Sequence, residues 1–173
     1  TEKEWRGLKG EPSLLTRQAL RGMGCESLDA LLAGDRYARS ALLRQMIHRF
    51  KYRRMRVYEK PLAAILRRAL PLFPLPSTTV LTAVPLHWTR VFLRGFNQSE
   101  LLASALSRET GFPVCHMLSR RRRTGWQSHR KNRRDRADAM KGVFAVRASR
   151  AERPTHVLLV DDMLTAGGNL DGG

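Results

Sequence analysis

The chain has 173 residues, 42% hydrophobic and 27% charged, which suits one sizeable domain with a core and leaves too little for two. Its formal net charge of +17 implies an anionic partner, whether nucleic acid, a polyphosphate ligand or an acidic surface. No window approaches the roughly 18 to 20 apolar residues of a membrane span, and no signal-peptide core follows the first charges, so a cytoplasmic location is expected.

Residues 1–36 read as an irregular or partly helical extension, in which Gly22, Gly24 and Gly34 interrupt one possible short helix near Leu28–Leu32. The domain proper is expected over 37–173. Leu42, Leu43, Met46, Ile47 and Phe50 recur at helical spacing, with Arg44, Gln45 and Arg49 on the other face. Lys51–Arg56 is a basic tract that reads as solvated surface. Pro61 suits the first turn of a second helix, Leu62–Leu70, because its missing N–H costs nothing there; Pro71, Pro74 and Pro76 stop that helix.

Thr78–Val84 is a β-branched run of strand length. The following HWTRVFLRGFNQSE reads as a loop rich in arginine and glycine. Ser99–Thr110 is a clear helix, with Leu101, Leu102, Ala105 and Leu106 on one side and Gly111 as its stop. Phe112–Leu118 and Val143–Val146 read as short strands, and Val157–Val160 as a wholly apolar one. Between them Arg120–Arg136, RRRRTGWQSHRKNRRDR, has Asp135 as its single acid and no apolar periodicity, which predicts a loop. Strands and helices in this order imply an α/β domain with a mainly parallel sheet, flanking helices and cover on both sheet faces. The two cysteines, Cys25 and Cys115, lie far apart; with His116 as one further candidate ligand they are too few for a structural zinc, and no zinc is expected.

The chemistry concentrates in Val157–Leu170. Four apolar residues deliver two carboxylates, Asp161 and Asp162, to a strand end, where open α/β sheets bind ligands. Adjacent acids there can accept hydrogen bonds from vicinal hydroxyls or hold a hydrated divalent cation. Thr165, Ala166, Gly167, Gly168 and Asn169 then offer small side chains and free N–H groups that can wrap a phosphate.

This strand, acid pair and Thr-x-Gly turn resemble the signature of type I phosphoribosyltransferases. Val84-Pro85-Leu86, Arg90 and Arg94-Gly95-Phe96-Asn97-Gln98 resemble the pattern of the ComF/GntX family, as do Ile47 and Lys51-Tyr52 upstream; the resemblance covers roughly 37–170. It implies a phosphoribosyltransferase-like fold that binds phosphoribosyl pyrophosphate (PRPP) together with Mg²⁺, with no metal ligand supplied directly by the protein. Asp161 and Asp162 would take the ribose hydroxyls, Thr165–Asn169 the 5′-phosphate, and Arg90 and Arg94 the pyrophosphate. Arg122, Thr124, Gln127 and Arg136 would belong to a flexible hood ahead of Phe144. Phe96 is expected to pack inward, and Asn97 or Ser99 to cap the next helix.

Two residues depart from the signature: Ala166 replaces a threonine hydroxyl, and Asn169 replaces the last threonine. The chain also stops at Gly173, so the helix and strand that follow the loop in the family are expected to be missing, leaving one face of Val157–Val160 without cover. The implied activity is displacement of pyrophosphate from C1 of PRPP, with no general base or acceptor named by the sequence. A second reading is a non-catalytic accessory protein for DNA uptake, binding single-stranded DNA through Arg120–Arg136 and Trp126. A third is a degenerate, truncated remnant.

Overall fold

A computed structural model describes residues 11–22, 26–37, 39–122, 141–147 and 154–163. The elements run β1 (Ser13–Thr16), α1 (Arg17–Gly22), β2 (Ala30–Ala33), α2 (Ala41–Tyr52), α3 (Glu59–Arg67), β3 (Thr79–Ala83), α4 (Trp88–Arg94), α5 (Gln98–Thr110), β4 (Leu118–Arg120), β5 (Phe144–Val146) and β6 (His156–Val160). Single 3-10 turns lie at Arg56–Tyr58 and Leu70–Leu72. The fold is mixed α/β. None of the helices among the described residues is long and apolar enough to cross a membrane.

The centre is β3, whose five residues are all buried. It pairs in parallel with β6, from Thr79 opposite His156 to Ala83 opposite Val160. On its other side the Leu81 N–H donates to Pro113 O and the Cys115 N–H to Leu81 O, both at 2.8 Å, making a parallel bridge to Val114. Phe112–Leu118 therefore contributes one bridge at Val114 and the first residue of β4 rather than the full strand expected. Pro113, with no N–H to give, suits such a short edge.

The parallel part is narrower than the sequence implied. β1 pairs antiparallel with β2, and β4 antiparallel with β5, so among the described residues one of three two-stranded sheets is parallel. The possible helix near Leu28–Leu32 is instead strand β2 from Ala30 onward. Pairing with a partner distant in sequence decided that segment, which local pattern could not reveal. β2 ends against α3: a Cβ on Gly34 would stand 2.5 Å from the Ile65 carbonyl oxygen, so only glycine fits.

Cover on both faces holds for β3 but not for β6. Leu158 and Val160 turn toward the core, whereas Val157 and Leu159 are each 47% exposed. The core lies between this strand pair and helices α2, α3 and α5, with Phe50, Ala63, Leu81 and Ala103 fully sequestered. Each large side chain buried there contributes roughly 1.5–3 kcal/mol.

Local chemistry sets the helix ends. Ser40 caps α2, its Oγ accepting from the Leu43 N–H at 3.1 Å. The α3 helix starts at Glu59, before the expected Leu62, keeps Pro61 in its first turn, and gives way to a 3-10 turn at Leu70–Leu72. Gly111, at φ 78°, ends α5 with its N–H on Ser107 O. The stretch expected as an open loop after β3 contains a helix, α4, capped by His87, whose side chain accepts from the Thr89 N–H.

Candidate ligand site at the strand ends

Parallel pairing puts the carboxyl ends of β3 and β6 on one edge. The last rung is the Val84 N–H donating to Val160 O at 3.0 Å. Beyond it, Pro85 sends one chain into α4 while Asp161 and Asp162 continue the other.

The segment Arg94–Ser99 folds back over this edge. Gly95, at φ 83°, ends α4 in a left-handed conformation that a side chain would strain. Phe96 packs on Phe50, with ring centroids 5.5 Å apart, so its inward packing agrees with expectation. Asn97 caps α5: its Oδ1 accepts from the Ser99 N–H at 3.2 Å, and its Nδ2 donates to Val84 O at 3.1 Å. One amide side chain thus joins the end of β3 to the start of α5.

Ser99 is thereby free for another task. Its buried Oγ donates to Asp161 Oδ1 at 2.9 Å, and the same oxygen accepts from the Asp162 N–H at 2.9 Å. Asp162 points the other way. The Lys51 ammonium stands 2.9 Å from its Oδ2, and the two side chains are only 13% and 9% exposed. That oxygen has no hydrogen-bond partner among the described residues, so the contact is an ion pair held off the hydrogen-bonding axis. Lys51 comes from the last turn of α2.

The environment makes the two acids unequal. Burial of its carboxylate pushes the Asp161 pKa up from 3.8 to about 6, and the neighbouring Asp162 charge pushes the same way. The Ser99 hydroxyl, the Asp162 N–H and Lys51 pull it back in part. Taken whole, the residue is exposed at the strand end, with its carboxylate crowded by protein atoms.

Arg94 donates through Nη1 to Gln98 Oε1 at 3.1 Å and lays its guanidinium 5.3 Å from the Tyr52 ring centre. Arg90, half-buried on α4, lies near Arg120, whose pKa is lowered by burial first and by the Arg90 charge second. Arg122 donates to Lys141 O at 2.8 Å and so closes the β4–β5 end on the exposed side. Thr124, Gln127 and Arg136, like Thr165, Ala166, Gly167, Gly168 and Asn169, lie outside the described residues. So does Trp126.

The segments that carry Arg94 and the acid pair therefore meet, and the meeting point is Ser99. Sequence reading assigned Ser99 a possible capping role and Lys51 a place on solvated surface; both instead touch the acid pair. For Lys51 the available signal was its position in the Lys-Tyr pair at a helix end. No group of three His, Cys, Asp or Glu side chains that could hold a metal occurs among the described residues, and Cys115 is a free, half-buried thiol. An open hollow of about 350 Å³ beside Tyr37, Ala41, Arg44, Gln45, His48 and Arg49 does not include the carboxylates.

No protein-family profile matches the chain, and no solved structure matches it. Competence protein F of Haemophilus influenzae is 30% identical over 131 residues, which is 73% of this chain and 57% of that protein. The chain thus spans little more than half the length of that curated relative. An identity of this size, sustained over most of the chain, relates it to the ComF family.

Proposed function

We propose that the chain binds PRPP at the edge formed by β3 and β6, as a phosphoribosyltransferase-like protein. The observation that carries this reading is the acid pair itself. Asp161 and Asp162 sit at the end of a parallel strand, one held by Ser99 and the other by Lys51. Two fixed carboxylates side by side present acceptors for a vicinal diol, the feature ribose offers. Arg90 and Arg94, on the helix that follows the adjacent strand, are placed in this reading against the pyrophosphate, for which paired guanidinium N–H bonds are suited. Thr165–Asn169 would take the 5′-phosphate.

The residues fit Mg²⁺ that arrives with the diphosphate better than Mg²⁺ held by the protein. The acids are two, and an ammonium already faces one of them. Such a cation would offset charge on the leaving pyrophosphate. If transfer follows, the C1–O bond to pyrophosphate breaks and a bond from C1 to the acceptor forms, with Asp161 and Asp162 holding the ribose in place. A role in competence follows the name of the relative.

Titration calorimetry with PRPP and Mg²⁺ tests the binding claim. Asp161→Asn combined with Asp162→Asn is expected to weaken binding at least about tenfold, the worth of one charge-assisted hydrogen bond or more. Equal affinity in the double variant would reject the site. The net charge of +17 supports a second reading, the binding of single-stranded DNA. That binding would fall steeply with salt and would be unchanged by the same two substitutions.

A further inference from the structure

We propose that Lys51 is a positioning residue of the ligand site and sets its preference for an intact vicinal diol over a 2-deoxy sugar. The inference rests on the PRPP reading and deepens it. Each carboxylate has its own anchor on a different helix: Ser99 on α5 holds Asp161 at 2.9 Å, and Lys51 on α2 holds Asp162 at 2.9 Å.

The two anchors differ in kind. Ser99 and the Asp162 N–H fix one oxygen of Asp161 by two hydrogen bonds. Among the described residues the Asp162 carboxylate has one partner, the Lys51 ammonium, and its Oδ2 is buried without a hydrogen bond. Without that cation, no other side chain among the described residues fixes the rotation of the Asp162 carboxylate or offsets its charge at 9% exposure. A diol must meet two acceptors at a set spacing, so freedom in one acceptor loosens recognition of one hydroxyl while leaving the other intact. On the PRPP reading, the sugar is therefore discriminated at one of its two ring hydroxyls.

Lys51 itself is tied to the interior. It follows the fully buried Phe50 in the last turn of α2, and its own side chain is only 13% exposed, so the ammonium is not on a free surface arm. A lysine on a solvated face would hold no such fixed place.

The test is competition of ribose 5-phosphate and 2-deoxyribose 5-phosphate against PRPP on the full chain. The unsubstituted protein is expected to prefer the ribose compound by at least about tenfold. Lys51→Met should bring that ratio close to one, and Lys51→Arg should restore it. If Lys51→Met does not fold, Lys51→Gln, which keeps a donor without the charge, should show a smaller loss in the same direction. A ratio unchanged in Lys51→Met, or in Lys51→Gln if the first does not fold, overturns the role of Lys51. If Asp161→Asn with Asp162→Asn still weakens PRPP binding at least about tenfold in that case, the site reading survives. If the unsubstituted chain binds neither PRPP nor ribose 5-phosphate, the site reading fails and the Lys51 proposal falls with it.

Discussion

Asp161 carries the pH dependence of the strand-end site. Its pKa of about 6 in the folded chain lies above the ordinary 3.8, so between those values the folded state holds more proton than the unfolded one. Stability contributed by this residue therefore falls as pH rises through that window, and the cost of its ionised form is fully present above about 6. Thermal melts at about pH 4.5 and about pH 7 are expected to differ less in Asp161→Asn than in the unsubstituted protein. Binding runs the opposite way. Protonated Asp161 offers a donor where a hydroxyl needs an acceptor, so affinity for PRPP is expected to drop on acidification through pH 6, as a calorimetric pH series would show.

The residues that make this site were unequally legible. The acid pair stood out because an apolar run ends in it. Ser99 and Lys51 did not, since their roles depend on partners 62 and 111 positions away, Asp161 for the one and Asp162 for the other. A charge run such as Lys51–Arg56 looks the same in sequence whether its first member is solvated or buried.

At the scale of elements, α2 was readable from its apolar spacing, and β3 and α5 from an apolar run with a clear stop, Pro85 after the strand and Gly111 after the helix. The α4 helix was not. Its large side chains Trp88, Phe92 and Leu93 point outward, so no core-facing stripe betrays it, and its cap is a histidine rather than a residue usual at that position. The junction between β3 and α5 rests on Asn97, which both caps the helix and bonds Val84 O. Asn97→Ala is expected to lose about 1–2 kcal/mol, read as a lower denaturant midpoint at unchanged slope. Loss of PRPP affinity beyond that of a surface substitution would accompany it, because Ser99 lies two residues further on.

At the scale of the whole molecule, the sequence conveyed a mixed α/β fold but not the way its small sheets divide. Whether a strand pairs parallel or antiparallel is fixed by chain connection and packing rather than by composition, and β1–β2 and β4–β5 are both antiparallel. The charge of +17 acts on the fold as a whole. Self-repulsion at low ionic strength should lower the melting temperature, and about 0.2 M salt should raise it by screening exposed arginines. The Lys51–Asp162 pair, nearly closed off from solvent, should feel that salt far less.

The contact of Phe50 with Phe96 has a consequence for how the strand-end site keeps its shape. Lys51 is covalently next to one ring, and Ser99 lies three residues from the other. The two acids are thus steered from inside, by a pair of levers whose common fulcrum is interior. Stiffness there is borrowed from the hydrophobic centre, so a substitution that loosens that centre would blunt recognition well before the chain as a whole came apart.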